Sequence, residues 1–276
     1  MLGASSTIVV RYRRDGLPPT ASRGATPRRL APGWSGVSVV AAGGPGVHRA
    51  RREERGMTDL LLAEEREAVA RASRHLAEAR LVIGTAGNVS ARNGDLIAVT
   101  PTGSDLAKVT AEMVTVINLR GEVVDGDLAP TSEVPLHTGI YAATNAVAVA
   151  HAHAMASTAL SCCFDELPAV HYSCLVLGGS PRTAPYATFG SQELADNVIE
   201  ALNGRTAAMM QNHGSVAYGT TMDQAVERLE LLEWLAELYW RASSMGTPHL
   251  LTNEDFEHIF EAARQRYGAM RKADEG

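Results

Sequence analysis

The sequence has little with which to build a disulfide framework, cross a bilayer or stack nucleic-acid bases. Its three cysteines are Cys162, Cys163 and Cys174. Two are adjacent and none has the CxxC spacing of a thiolate metal site, so a reduced, cytoplasmic setting, with all three thiols as buried small apolar groups, is the reading they support. No apolar run approaches the roughly 18 residues a membrane span needs. Aromatic residues make up 5% of the chain and the net charge is -6, which argues against a nucleic-acid partner. A small anionic ligand would need a local trap. Lysine is missing from residues 1–56, where ten arginines meet only three acids, Asp15, Glu53 and Glu54.

What is present suits a globular α/β protein. Of 276 residues 45% are hydrophobic and 20% charged, enough for one large domain. Residues 1–56, rich in Arg, Gly, Pro, Ser and Ala and without helical or strand period, are expected to be a disordered extension or an over-extended reading frame. Met57 opens directly onto a helix, which makes it the expected initiator and residues 57–276 the folded domain, with 15 basic and 28 acidic residues.

Within that domain Thr58 or Asp59 is placed to cap a helix reaching about Arg80, with Leu61, Ala68, Ala72, Leu76 and Ala79 on one face. Strands are expected at residues 96–100, 114–118, 147–151 and 206–210, and helices at 134–144 and 155–163. A long amphipathic helix spans 222–244, carrying Ala225, Val226, Leu229, Leu232, Leu235, Ala236 and Tyr239 at helical spacing. A last helix begins near Thr252.

The chemistry concentrates in a few segments. His151 and His153 close an apolar run, and alternation along a strand turns residues i and i+2 to one face, so both imidazoles can converge on one ion while Ala152 packs behind them. A distant His213, in QNHG, could complete a three-ligand site with open positions. Spacing alone leaves open that they are polar residues at a strand end. Three polar loops, GTAGNVSAR from Gly84, TPTGSD from Thr100 and PTSE from Pro130, offer backbone N–H groups and hydroxyls suited to a phosphate. Gly87 and Gly103 could equally serve only a positive φ, and Thr131 or Ser132 only a helix cap. Glu133 could ligate a metal, act as a base, or simply be a first-turn acid.

Taken in order, GTAGNVSAR, TPTG, TSE, HAHAMASTA, HYSCLVLGG, APYATFGSQEL and QNHG closely resemble the class II aldolase/adducin family across essentially all of residues 57–276. The resemblance implies a three-layer α/β/α sandwich with a central, mainly antiparallel sheet, assembled as a homotetramer with active sites between subunits. It implies one Zn2+ per subunit on His151, His153 and His213, approached by Glu133 as catalytic acid/base. It also implies phosphate binding by Gly87, Asn88, Thr102, Gly103, Thr131 and Ser132, with a threonine at 131 where serine stands in the pattern. Tyr172 matches the tyrosine that assists proton transfer at the aldehyde oxygen, and Tyr267 a second active-site tyrosine donated across the subunit interface.

The expected reaction is reversible retro-aldol cleavage of a ketose 1-phosphate, L-fuculose 1-phosphate or a related sugar, to dihydroxyacetone phosphate and an aldehyde. Such cleavage leaves an electron pair on an enediolate, and a Lewis-acidic metal takes the place of a Schiff-base lysine, so Lys108 is not required. Within the same resemblance lie an L-ribulose-5-phosphate 4-epimerase, where aspartate usually occupies position 133, other sugar-phosphate lyases, and the adducin head, a binding module without the full metal set.

Overall fold

The computed structural model describes residues 60–274. The expectations for residues 1–56, for Met57 as initiator, and for Thr58 or Asp59 as a cap lie outside the described residues. One eight-stranded sheet runs through the domain: β1 (Asn88–Asn93), β2 (Leu96–Val99), β3 (Thr115–Asn118), β4 (Val123–Asp125), β5 (Ala148–Ala152), β6 (Thr183–Ala184), β7 (Ala207–Met210) and β8 (Gly214–Gly219). The spatial order is β4-β3-β2-β1-β5-β8-β7-β6, and every pairing is antiparallel except β6 with β7.

Strand alternation sends the two faces of this sheet into two separate cores. Ala148, Ala150 and Ala152 of β5, with Val89, Met209 and Ala217, pack against α1 (Ala63–Glu78), α3 (Met155–Ser161) and α5 (Met222–Met245). Val149, with Ile97, Ile117, Met210 and Val216, packs against α2 (Val134–Ala143) and α4 (Gln192–Ala201). The result is the expected three-layer, mainly antiparallel α/β/α sandwich. A final helix, α6 (Asn253–Asp274), follows.

Several expectations meet the structure closely and several are corrected. On α5, Ala225, Val226, Leu229, Leu232, Leu235 and Ala236 are all buried, and Thr221 accepts a hydrogen bond from the Gln224 amide to start the helix. On α1 the inward face is Arg66, Val69, Ala70, Ala72, Ser73 and Leu76. Leu61 and Ala79 are exposed because Leu61 precedes the first turn and Ala79 is the C-cap. Arg80, at φ 61, then ends the helix: its N–H bonds Ala77 O and that of Leu81 bonds Leu76 O, a Schellman turn made without glycine. Of the cysteines only Cys174 is buried. Cys162 and Cys163 are exposed because α3 stops at Ser161 and the chain turns outward there.

Candidate metal and anion site

The site forms where β1, β5 and β8 end beside the N-terminus of α2. His151 is the fourth residue of β5, at the middle of the sheet and 0% exposed. Its Nδ1 lies 2.9 Å from Ser215 O, so Nδ1 carries a hydrogen and Nε2 turns to the site, the arrangement that fixes the tautomer of metal-ligating histidines. His153 follows the strand end, with Nε2 3.1 Å from His151 Nε2. His213 comes from the β7–β8 turn, where Asn212 takes the left-handed conformation at φ 57 that asparagine tolerates.

Two glycines let these segments close. A Cβ on Gly214 would stand 2.4 Å from Ala152 O and 3.2 Å from both His151 Cε1 and His153 Cδ2. Gly87, at φ +91, leaves no room beside His151 O, which a Cβ would meet at 2.9 Å.

The three imidazole donors lie within 4.8 Å of one another, their ring centroids 4.8 to 5.0 Å apart. Nitrogens bound to one tetrahedral ion at zinc distances stand about 3.3 Å apart, so the His151–His153 separation is of the right size. The donor set is that of zinc and neighbouring divalent transition metals. Glu133 completes the cluster: Oε2 is 3.1 Å from His151 Nε2 and Oε1 is 3.5 Å from His213 Nε2. Oε1 is buried without a hydrogen-bond partner, an unmet acceptor facing the histidines. Glu133 is the N-cap of α2 and makes no side-chain cap bond; its carboxylate turns to Asn88 and His151 instead.

The electrostatics follow from crowding these groups away from water. Burial works against charge on Glu133, yet the adjoining His151, His213 and Asn88 outweigh it and hold the carboxyl well below its usual range. Burial likewise opposes a charged His151, but the Glu133 charge and the Ser215 carbonyl push its pKa up overall. His153 and His213 are drawn down to about 4, first by burial and then by the His151 charge. A metal ion competes for the nitrogen lone pairs that these protons occupy.

Beside the cluster lies a cavity of about 290 Å³ lined by the glycine and hydroxyl loops, Glu133, His153 and His213. Gly87, Asn88, Thr102, Gly103, Thr131 and Ser132 all border it, and among the described residues no lysine or arginine does. The second and third loops are clipped together by the Pro101–Pro130 bridge and by hydrogen bonds from Thr102 N to Ala129 O and Thr131 N to Thr100 O. The first loop is shorter than expected, because Asn88 already belongs to β1. Asn88 turns its side chain to Glu133 and His137.

Tyr172 does not line this cavity. It opens a 3-10 helix (Tyr172–Leu177), is 56% exposed and stacks on His171. Tyr267 falls in α6, beyond the residues whose side chains are described. Lys108 is exposed and paired with Asp105 at 2.7 Å. Sequence reasoning missed Tyr186, Phe189 and Asn212, which also border the cavity; Gln211 holds the first through its Oε1, which accepts from Tyr186 N. The only sequence signal for them was membership of the APYATFGSQEL and QNHG blocks.

Residues 67–240 match the family model described as Class II Aldolase and Adducin N-terminal domain. A 5-deoxy-D-ribulose 1-phosphate aldolase from Bacillus thuringiensis is 33% identical over 203 residues, covering 72% of this chain and 95% of that protein. The L-fuculose phosphate aldolase of Escherichia coli is 38% identical over 181 residues, covering 64% and 84%. A solved L-fuculose 1-phosphate aldolase superposes with a TM-score of 0.70 at 33% identity, covering 74% of this chain and 98% of that one. With this family model matched over more than half of its length and these relatives alongside, the chain belongs to the class II aldolase and adducin N-terminal domain family.

Proposed function

We propose that the protein is a zinc-dependent aldolase that reversibly cleaves a ketose 1-phosphate, such as L-fuculose 1-phosphate or 5-deoxyribulose 1-phosphate, to dihydroxyacetone phosphate and an aldehyde. The observation that carries this reading is the meeting of three imidazoles with a buried carboxylate whose Oε1 has no hydrogen-bond partner, at one end of a cavity whose other walls are glycine turns and hydroxyls. His151, His153 and His213 would hold the ion. When bound, it supplies a Lewis acid that stabilises the negative charge developing on the substrate oxygens.

The remaining roles belong to the chain's own groups. Gly87, Asn88, Thr102, Gly103, Thr131 and Ser132 bind the phosphate through neutral N–H and O–H donors, holding the reacting carbon at a set distance from Glu133. In cleavage Glu133 gives a proton to that carbon, and in synthesis it removes one. Tyr172 and Tyr267 assist at the aldehyde oxygen. Because Tyr172 is exposed and off the cavity of its own chain, we place both tyrosines at the site of a neighbouring subunit in a homotetramer. The exposed Met155, Phe164 and Trp240 around an apolar groove between α3 and α5 support self-association, since apolar patches of this kind mark contact surfaces.

A panel of ketose 1-phosphates and 5-phosphates, assayed with metal-loaded protein for dihydroxyacetone phosphate release, tests the proposal. Turnover of a 1-phosphate with that product is expected. Isomerisation of a 5-phosphate without it would replace this reading with the epimerase, and stable protein that takes up no metal would replace it with a binding module.

A further inference from the structure

Behind Glu133 runs a line of buried side chains of which the proposed reaction uses only Asn88. Asn88 Nδ2 is 2.8 Å from Glu133 Oε2, His137 Nε2 is 2.5 Å from Asn88 Oδ1, Ser90 Oγ is 2.7 Å from His137 Nδ1, and Tyr141 OH is 2.7 Å from Ser90 Oγ. None is more than 5% exposed. Glu133, His137 and Tyr141 follow at successive i+4 steps along one face of α2, and Asn88 and Ser90 at an i+2 step on one face of β1, so these polar groups bind helix to strand, joined by Arg92 Nη1, which donates to Tyr141 O.

The chemistry of each partner fixes the direction of every bond. A carboxylate accepts, so the Asn88 end facing it is the amide N–H2. The Asn88 oxygen then faces His137 and can only accept, which puts the imidazole hydrogen on Nε2. Nδ1 is left as an acceptor and takes the Ser90 hydroxyl hydrogen, leaving Ser90 Oγ to accept from Tyr141. Four donors in series point at Glu133, each polarising the next. Where His151 and His213 hold a metal through their Nε2 atoms they cannot donate to the carboxylate, and among the described residues Asn88 is then the side-chain donor that remains.

We infer that His137 is a positioning residue: by holding the Asn88 amide with its N–H toward Glu133, it keeps Oε2 as the anchored oxygen and leaves Oε1, which has no hydrogen-bond partner and lies 3.5 Å from His213, as the oxygen that carries the proton. The inference rests on the aldolase reading. Without His137 the amide is free to rotate and present its oxygen to the carboxylate, and the proton-carrying oxygen is no longer defined.

The test follows hydrogen exchange by metal-loaded enzyme given dihydroxyacetone phosphate in deuterated water without aldehyde. Oε1 takes one hydron from the carbon, exchanges it with solvent and returns a deuteron to the same carbon. His137→Ala is expected to keep its metal and its KM while exchange and kcat both fall about 10- to 100-fold. His137→Gln, whose amide nitrogen stands where Nε2 stood, is expected to recover most of the loss. Nitrogen-15 NMR of the wild type should show His137 as the Nε2–H tautomer. A folded, metal-replete His137→Ala exchanging at the wild-type rate, or an Nδ1–H tautomer, overturns the inference. Should His137→Ala not fold, Ser90→Ala decides: a changed tautomer with several-fold slower exchange supports the chain, and neither change overturns it. A wild type that exchanges nothing refutes the aldolase reading instead, while the tautomer still reports on the chain.

Discussion

Glu133 and Gly214 show how much of the proposed chemistry depends on single atoms. Among the described residues the Glu133 carboxylate is the one formal negative charge bordering the cavity, and positioned acid/base groups of this kind contribute about 10²- to 10⁴-fold to rate. Glu133→Gln keeps the shape and one carbonyl oxygen but cannot cycle a proton, so kcat is expected to fall by about that factor with the metal retained; near-normal cleavage by the metal-replete variant would remove Glu133 from its role. Gly214 acts only by what it lacks. A methyl group there meets Ala152 O at 2.4 Å, so Gly214→Ala must displace the β5 and β8 ends that carry the histidines. Metal affinity is expected to drop about 10- to 100-fold, the usual cost of disturbing groups behind metal ligands, in a protein that still unfolds cooperatively. Competition with a chromophoric chelator measures this, and an unchanged affinity would refute the steric argument.

At the level of elements, α3 begins immediately after the histidine pair, yet its N-cap, Ala154, has no side chain to offer. The cap comes from α5: Glu233 accepts from Ala156 N at 2.6 Å and Ser157 N at 2.8 Å, placing an anion on the first turn where the helix dipole favours it. Glu233→Ala is expected to destabilise the fold by about 1–2 kcal/mol, lowering the melting temperature by roughly 2–8 °C for a domain of this size; an unchanged melting temperature would show that the cap contributes nothing. Such long-range caps are invisible in sequence. The inward face of α1 was legible in part: Ala72 and Leu76 are buried as expected, but Arg66, 1% exposed and bonded to Leu61 O and Asp125, breaks the apolar period. β5 and α5 were legible since their inward residues are apolar at the right spacing. β1 was not, because its inward Asn88 and Ser90 are polar and are satisfied by α2. β4 and β6, three and two residues long, are too short to show a period. In the site, the His151–His153 spacing and the order of the glycine loops were readable, whereas His137 reads as an ordinary residue on an apolar helix until Asn88 is seen beside it.

Two consequences belong to the whole molecule. If tyrosines and carboxylate meet between subunits, Glu133→Gln and Tyr172→Phe proteins, each weakly active alone, should regain activity when unfolded and reassembled together, because some mixed interfaces carry neither change; no recovery in verified mixed oligomers would place Tyr172 outside the site. The second concerns acid stability. His137 is fully buried and its pKa is drawn to about 4, chiefly by burial, with the Glu133 charge opposing and the His151 charge adding to the shift. In the unfolded chain an imidazole titrates near 6.5. Between those values the unfolded state binds a proton that the native state refuses, so stability rises with pH across the window. The contribution is complete above about pH 6.5, is lost progressively as pH falls toward 4, and amounts to about 3 kcal/mol over the whole interval. His153 and His213 share the trend, so the diagnostic quantity is a difference. Urea unfolding of wild type and His137→Gln between pH 7 and 4.5 should show a shallower loss in the variant, whose amide does not titrate. Equal slopes would mean that His137 is not held neutral in the core, and that Nδ1 is not reserved to accept from Ser90.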